Sequence, residues 1–184
     1  GGGGGGGDSE HVKVPEDLRN RVNLPKGHIA AFDGGYGHSV VLVGGRVFCF
    51  GANEYNQCGP DGEEGAAREI ALPGPASAVC AGNHHSMALV DGKVYAWGSN
   101  EYGQVSGDGE MGDAVGKPRE VPIPEQISFI DAGICHAAAQ GKSGSVYLWG
   151  CGGNGQTGLR ELPEASSTRT LDFGDLLRRC SGQE

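Results

Sequence analysis

The chain of 184 residues carries a formal net charge of −9, has a pI near 5.1, and contains 36 glycines. An acidic chain is poorly suited to bind nucleic acid directly or an anionic membrane surface, because both are captured by clustered Lys and Arg. No apolar stretch reaches the length of about 18 residues that crossing a bilayer requires.

The first ten residues and the cysteines set further expectations. Residues 1–10 form a glycine-rich tail, which we expect to be disordered. None of the six cysteines lies in a C-x-x-C pair, and the sequence has no signal peptide. We therefore expect reduced thiols, no metal, no cofactor, and an intracellular protein of the cytoplasm or nucleus.

Short β-prone runs follow in chain order after the tail. An edge-like run at Val12–Pro15 ends in proline, which an edge strand tolerates. Ile29–Asp33 is predicted as the next strand. His38–Val43 and Arg46–Phe50 then form a hairpin around two adjacent glycines.

The same order of runs occurs twice more. The second copy has an edge-like run, a strand and a hairpin around an Asp-Gly turn; its segments are Arg68–Pro73, Ala76–Ala81, His85–Val90 and Lys93–Trp97. The third copy has its hairpin around Ser-Gly; its segments are Arg119–Pro122, Ile127–Ala132, His136–Gln140 and Ser145–Trp149. Four antiparallel strands repeated every 50 residues or so are typical of β-propeller blades.

Four residue types recur at fixed offsets in all three copies. Each copy has a histidine that begins the hairpin, an aromatic residue that ends it, a glycine directly after, and a glutamine six positions further on. A residue that recurs in every blade is expected to serve the blade itself, so we interpret these positions as structural. They are His38, His85, His136, Phe50, Trp97, Trp149, Gly51, Gly98, Gly150, Gln57, Gln104 and Gln156.

The pattern G-x-x-H-S/T-x-x-L, a turn, and V-Y/F-x-W/F-G-x-N-x-x-G-Q resembles the repeat of the regulator-of-chromosome-condensation family. The aromatic residue is followed by Gly in each copy, whereas a WD repeat would end its blade in Trp-Asp. The resemblance implies an all-β fold, an incomplete β-propeller of three four-stranded antiparallel blades plus half a blade. We expect these blades at about 11–59, 67–107 and 117–158, with a partial one at 168–184. Such an open stack would need missing blades or self-association to complete the ring.

Residues that vary between copies are the candidates for partner contact. The two positions before each repeat histidine lie at a strand entrance on one face of the propeller, and a Glu-Tyr pair follows the aromatic-Gly pair in two copies. We predict partner binding at Tyr36, Asn83, His84, Glu54, Tyr55, Glu101 and Tyr102. No catalytic constellation is legible, so an enzyme is not expected.

Two functions from different classes remain open. The first is a protein–protein interaction scaffold, a fragment of a longer propeller. The alternative, implied by the resemblance, is a guanine-nucleotide exchange factor for a small GTPase in the full-length protein. Exchange factors of the family carry acidic residues just before some repeat histidines, and no carboxylate stands there in this chain. A propeller fused to an enzyme outside this stretch is a third arrangement.

Overall fold

The computed structural model describes residues 24–60, 65–158 and 165–170. Within these residues the chain forms twelve β-strands in three four-stranded antiparallel sheets and no helix. The sheets follow one another along the chain, and each is one blade. The fold prediction, an all-β partial propeller, is confirmed.

The first blade contains strands β1 (Ile29–Gly34), β2 (His38–Val43), β3 (Arg46–Gly51) and β4 (Arg68–Ile70). They pair in chain order, with β1 at one edge and β4 at the other. The sharp β2–β3 turn is made by two glycines in the left-handed region, at φ 57° and 78°. Positive φ at both central residues suits a hairpin turn whose twist matches that of the strands.

The second blade repeats this arrangement with β5 (Ala76–Ala81), β6 (His85–Val90), β7 (Lys93–Gly98) and β8 (Val115–Glu120). Its β6–β7 turn is Asp-Gly, with φ of 49° and 71°. The predicted Asp-Gly hairpin is therefore confirmed.

The third blade consists of β9 (Ile127–Ala132), β10 (His136–Gly141), β11 (Val146–Cys151) and β12 (Ala165–Thr170). The β9, β10 and β11 strands agree with the predicted runs to within a residue or two. The connection from β11 to β12 includes residues 159–164, which lie outside the described part.

The outer strands are grouped differently from our prediction. Arg68–Ile70 was expected to open the second blade, but it pairs with β3 and closes the first. Likewise β8 pairs with β7, and β12 pairs with β11. The sheets therefore span residues 29–70, 76–120 and 127–170, not the ranges given above. The predicted run Val12–Pro15, the glycine-rich tail, and residues 171–184 of the expected half blade lie outside the described residues.

Two apolar cores hold the blades together, one at each interface between adjacent blades. We call the interface of the first and second blades the first seam and that of the second and third blades the second seam. In the first seam, Trp97 of the second blade packs into a buried cluster with Val40 and Cys49 of the first. In the second seam, Trp149 packs with Met87 and other buried residues of the second blade. Both indoles are fully buried. Burying an indole removes on the order of 200 Å² from water, which favours folding by roughly 5 kcal/mol.

Four of the six cysteines form disulfides, and this corrects the expectation of reduced thiols. The Cys49–Cys58 bond ties β3 to the loop that follows it, with Cα atoms 5.0 Å apart. The Cys135–Cys151 bond joins the start of β10 to the end of β11, with Cα atoms 5.4 Å apart. Both spacings fit disulfide geometry.

The first disulfide occupies a position that other blades fill without sulfur. Cys49 and Cys58 correspond in the repeat to Ala96 and Val105 of the second blade, which are both buried. Cys80 is a free, buried thiol whose pKa is raised by burial.

Candidate functional site

Each repeat glutamine fixes the loop that contains it. The Gln57 side-chain Oε1 accepts a hydrogen bond of 2.9 Å from the backbone N–H of Tyr55, two residues earlier. Gln104 accepts the equivalent bond from Tyr102 at 2.8 Å, and Gln156 accepts it from the residue two before it at 2.8 Å. Because the side chain closes a turn of its own loop, it sets the position of the residue at Tyr55 and its equivalents.

The backbone carbonyl of the same glutamine faces the next blade. The Gln57 carbonyl accepts from Trp97 Nε1 at 2.8 Å and from Ser86 Oγ at 2.9 Å. The Gln104 carbonyl accepts from Trp149 Nε1 at 2.9 Å. Gln57 and Gln104 thus each join the loop of one blade to the core tryptophan of the next, in bonds sequestered from water.

The repeat histidines lie under the same seams. His38 and His85 are buried and His136 is half-buried. Burial lowers the pKa of His38 to about 4 and that of His85 to about 3, and it also lowers the pKa of His136. Desolvation penalises the charged imidazolium, so all three rings are neutral at pH 7.

A hydrogen bond across the first seam has no counterpart in the second. The His38 Nε2 atom lies 2.9 Å from Ser86 Oγ. The residue that corresponds to Ser86 in the third blade is Ala137, which has no hydroxyl. As a result, His85 Nε2 lacks a hydrogen-bond partner in the described part of the chain, whereas the Nδ1 atoms of both His38 and His85 lack one there.

The glycines around each histidine are required by close approach. A Cβ on Gly82 would collide with the His85 imidazole and come within 2.6 Å of the Gly133 carbonyl. Gly98 has φ 106°, and a Cβ there would lie 2.5 Å from the His84 carbonyl. The same His84 carbonyl oxygen accepts a hydrogen bond of 2.8 Å from the backbone N–H of Ser99.

Three rings gather at one end of the first seam. Tyr36 precedes β2, Tyr55 lies in the β3–β4 loop, and His84 precedes β6 of the next blade. The His84 ring lies edge-on to Tyr36 at 5.6 Å between centroids and tilted against Tyr55 at 4.7 Å. We call Tyr36, Tyr55 and His84 the ring cluster. Tyr36 is 78% exposed and Tyr55 36%, so the cluster is open to a partner.

The other predicted contact residues lie on the same end of the sheets. We call this end, formed by the β1–β2 and β3–β4 connections and their repeats, the loop face. Asn83 accepts the Tyr36 N–H through its carbonyl at 3.1 Å, which fixes the spacing of the two blades. Glu54 is exposed beside Tyr55, and Glu101 is exposed at the equivalent position of the second blade. Glu101 and half-buried Tyr102 follow β7, at the next seam.

Three exposed apolar residues lie outside the seven predicted contact residues. Ile134 corresponds to Tyr36 in the third blade and is 70% exposed, and it occupies one of the candidate positions before a repeat histidine. Phe32 and Phe129, on β1 and β9, are 77% and 61% exposed, and the sequence analysis did not single them out.

In the described residues, every charged side chain of the loop-face connections is acidic. These described connections contain five carboxylates and no Lys or Arg: Glu54, Glu101, Asp108, Glu110 and Asp113. Asp108 forms an ion pair of 3.0 Å with Arg119 of the outer strand β8. The same connections contain further charged residues outside the described part: Asp61, Glu63, Glu64, Arg160, Glu161 and Glu164.

In residues 24–60, 65–158 and 165–170, no three His, Cys, Asp or Glu side chains come together as metal ligands would. The same stretches include no helix long and apolar enough to cross a membrane.

The sheets and their seams define the class of protein, a β-propeller. A family model for the regulator of chromosome condensation (RCC1) repeat matches residues 44–89 and 91–139, and a second model of this repeat matches residues 76–104. These matches cover more than half of the chain, which therefore belongs to the RCC1-repeat family.

Solved structures agree with this assignment. Human WBSCR16 aligns with a TM-score of 0.73 at 24% identity, over 84% of this chain and 43% of that one. Yeast RCC1 (Prp20), in its complex with Kap60, aligns with a TM-score of 0.68 at 27% identity, over 82% of this chain and 38% of that one. Prp20p from Saccharomyces cerevisiae, studied with its binding to Gsp1p and histones, aligns at 24% identity over 82% and 40%.

The chain spans about two fifths of the length of these solved relatives. No curated protein sequence matches it.

Proposed function

We propose that the chain is part of a propeller scaffold for protein–protein contact and that the ring cluster is the centre of its contact surface. The observation that carries this proposal is that two exposed tyrosines and a histidine from two blades converge on one end of a rigid seam. Exposed tyrosines are enriched where proteins bind one another, because they offer a large contact area with few rotatable bonds. The protein partners of the yeast relative, Kap60, Gsp1p and histones, support a protein as the ligand.

Photo-crosslinking from the loop face tests the scaffold. A benzophenone amino acid replaces Tyr36, and the matched control replaces Lys142, which is exposed at the opposite end of the third blade. Expected are adducts with a specific protein from Tyr36 and none of these from Lys142. The captured protein is then purified, and its affinity for the chain is expected to fall about tenfold or more on Tyr55→Ala. Identical adducts from both positions, or unchanged affinity, would contradict the proposal.

The exchange-factor function is the second candidate. It is supported by the family and by likeness to yeast RCC1 at 27% identity. The residues before the repeat histidines count against it for this stretch, since they are Tyr36-Gly37, Asn83-His84 and Ile134-Cys135, none of them acidic. The assay is release of fluorescent GDP from a small GTPase with and without the chain. The scaffold proposal expects an unchanged rate, and acceleration would favour the exchange factor.

The compartment is a separate proposal. The sequence favoured an intracellular location, cytoplasmic or nuclear, whereas the disulfides Cys49–Cys58 and Cys135–Cys151 are typical of an oxidising environment. Alkylation of the protein from its native source, followed by mass spectrometry, separates the two. Labelling of all four of these sulfurs without reductant supports the intracellular location, and protection of all four supports an oxidising one.

A further inference from the structure

The charge of the loop face points to the chemistry of its partner. Every charged side chain in the described loop-face connections is a carboxylate. The basic residues of the described chain lie on strands or at the opposite end, as do Arg46, Lys93 and Lys142. Since clustered charges of one sign attract the opposite sign over about 8–10 Å at ordinary salt, this face favours a cationic partner.

The ring cluster offers what a cationic side chain binds best. Tyr36 stands 78% exposed beside the His84 ring, and Tyr55 packs tilted against the same ring. Glu54 is exposed and directly precedes Tyr55 in the chain. A cation within about 6 Å of a tyrosine ring is attracted by its π-electrons, and a neighbouring carboxylate adds a charge-assisted hydrogen bond.

We propose that the ring cluster and Glu54 form a binding site for an arginine side chain in a basic segment of a protein partner. This inference rests on the proposed scaffold function and names the chemistry of its ligand. Arginine fits better than lysine because its planar, weakly hydrated guanidinium stacks on aromatic rings while it donates a bidentate bond to a carboxylate. The site belongs to the first seam. In the second seam, the positions of Tyr36 and His84 are held by Asn83 and Cys135.

The framework holds this site in a fixed geometry before a partner arrives. The Tyr55 N–H is bound by the Gln57 side chain, and the Tyr36 N–H is bound by the Asn83 carbonyl of the next blade. Because the backbone N–H of each tyrosine is already hydrogen-bonded, binding orders little beyond the arginine itself.

Two labelled peptides of the same length test the inference with the intact chain. One is a Gly-Ser peptide with three arginines, and the other has citrulline, which keeps the shape but lacks the charge, at the same three positions. Binding is measured by fluorescence anisotropy at low and high salt. We expect the arginine peptide to bind and the citrulline peptide to bind at least tenfold more weakly. A lysine version is expected to bind more weakly than the arginine peptide.

Variants separate the rings from the general negative charge. Each of Tyr36→Ala and Tyr55→Ala is expected to weaken arginine-peptide binding about threefold, and the double variant about tenfold. Glu54→Gln is expected to weaken it too, whereas Ile134→Ala, which changes the exposed residue at the Tyr36 position of the third blade, is the matched control and leaves it unchanged. Circular dichroism verifies that each variant is folded.

Several results would overturn the inference. They are equal affinity for the arginine and citrulline peptides, binding to neither, tighter binding of the lysine version, or an arginine affinity that falls with salt but is unchanged when both tyrosines are removed. The last result would assign binding to diffuse negative charge. If any of these occurs while Tyr36 still crosslinks a specific protein, the arginine inference fails and the scaffold function stands. If the crosslinks also fail, both are refuted.

Discussion

The first seam has a histidine hydrogen bond that depends on a serine hydroxyl, and the second seam has alanine at that position. Exchanging the two residues gives a quantitative test of how the blades are joined. In the first seam, Ser86 Oγ donates its only proton to the Gln57 carbonyl, which can only accept. The same oxygen must therefore accept from His38 Nε2–H at 2.9 Å. In the second seam Ala137 occupies the equivalent position, and His85 has no such partner among the residues that the structure describes.

Ser86→Ala leaves the His38 nitrogen buried without its partner, while the Gln57 carbonyl keeps its bond from Trp97. Leaving one buried polar group unsatisfied costs about 1–3 kcal/mol. Conversely, Ala137→Ser gives the His85 ring a hydroxyl and is expected to raise the free energy of unfolding by about 1 kcal/mol. For a domain of this size each kcal/mol shifts Tm by roughly 2–4 °C.

Urea unfolding followed by tryptophan fluorescence measures both effects, because the indoles lie in the two seams. Ser39→Ala is the matched control. Ser39 is the equivalent residue of the first blade, half-buried on β2, and its removal is expected to change stability by no more than about 0.5 kcal/mol. The reasoning is refuted if Ala137→Ser destabilises the protein by more than about 1 kcal/mol, or if Ser86→Ala has no larger effect than Ser39→Ala.

Three further predictions concern acid, glycine and sulfur. Because the pKa values of His38 and His85 are lowered in the folded chain, the unfolded chain binds protons near pH 6.5 that the folded chain does not. The free energy of unfolding is therefore highest above pH 7 and decreases as the pH falls, by about 4 kcal/mol at pH 5. An unchanged urea midpoint between pH 8 and 5 would contradict this prediction. Gly35→Ala would place a Cβ against the His38 imidazole and is expected to lower the free energy of unfolding by about 1–3 kcal/mol in the same urea assay. Gly34→Ala, next to it, meets open space and is expected to be tolerated. Equal losses of stability in the two variants would refute the steric argument. Replacing Cys49 and Cys58 by the Ala and Val of the second blade is expected to preserve the circular dichroism spectrum. Reductant should then cost the variant half the stability that it costs the parent chain, since each disulfide contributes about 2–3 kcal/mol. A variant that loses as much stability in reductant as the parent chain would contradict this prediction.

The strands and hairpins could be predicted because their signals are local. Asp91-Gly92 and the glycine pair of the first blade specify tight hairpin turns whatever the rest of the chain does. The grouping of the outer strands could not be predicted, because Arg68–Ile70 lies between two hairpins and its sequence is compatible with pairing to either. In a tandem repeat the pattern alone leaves open where one sheet ends and the next begins.

The disulfides were missed for a related reason. Cys135 and Cys151 are separated by sixteen residues and match no familiar spacing. The register of β10 with β11 pairs His136 with Gly150, and the residues just outside this pair are the two cysteines. A sulfur pair of this kind is visible only once the register is known.

The ring cluster was predicted as a set of separate positions, and the structure explains why three of them lie together. Tyr55 and His84 are distant in sequence, but the Gln57 carbonyl and the Trp97 indole lock their two blades at a fixed spacing. The invariant residues of the repeat therefore decide where the variable residues of adjacent blades meet. Under the proposed function, a change of the Tyr36 or His84 side chain would alter what the face binds. It would leave the inter-blade bond from the Tyr36 N–H to the Asn83 carbonyl in place, because that bond is made by backbone atoms. This separation is the physical reason that a repeat with a strict framework can serve different partners.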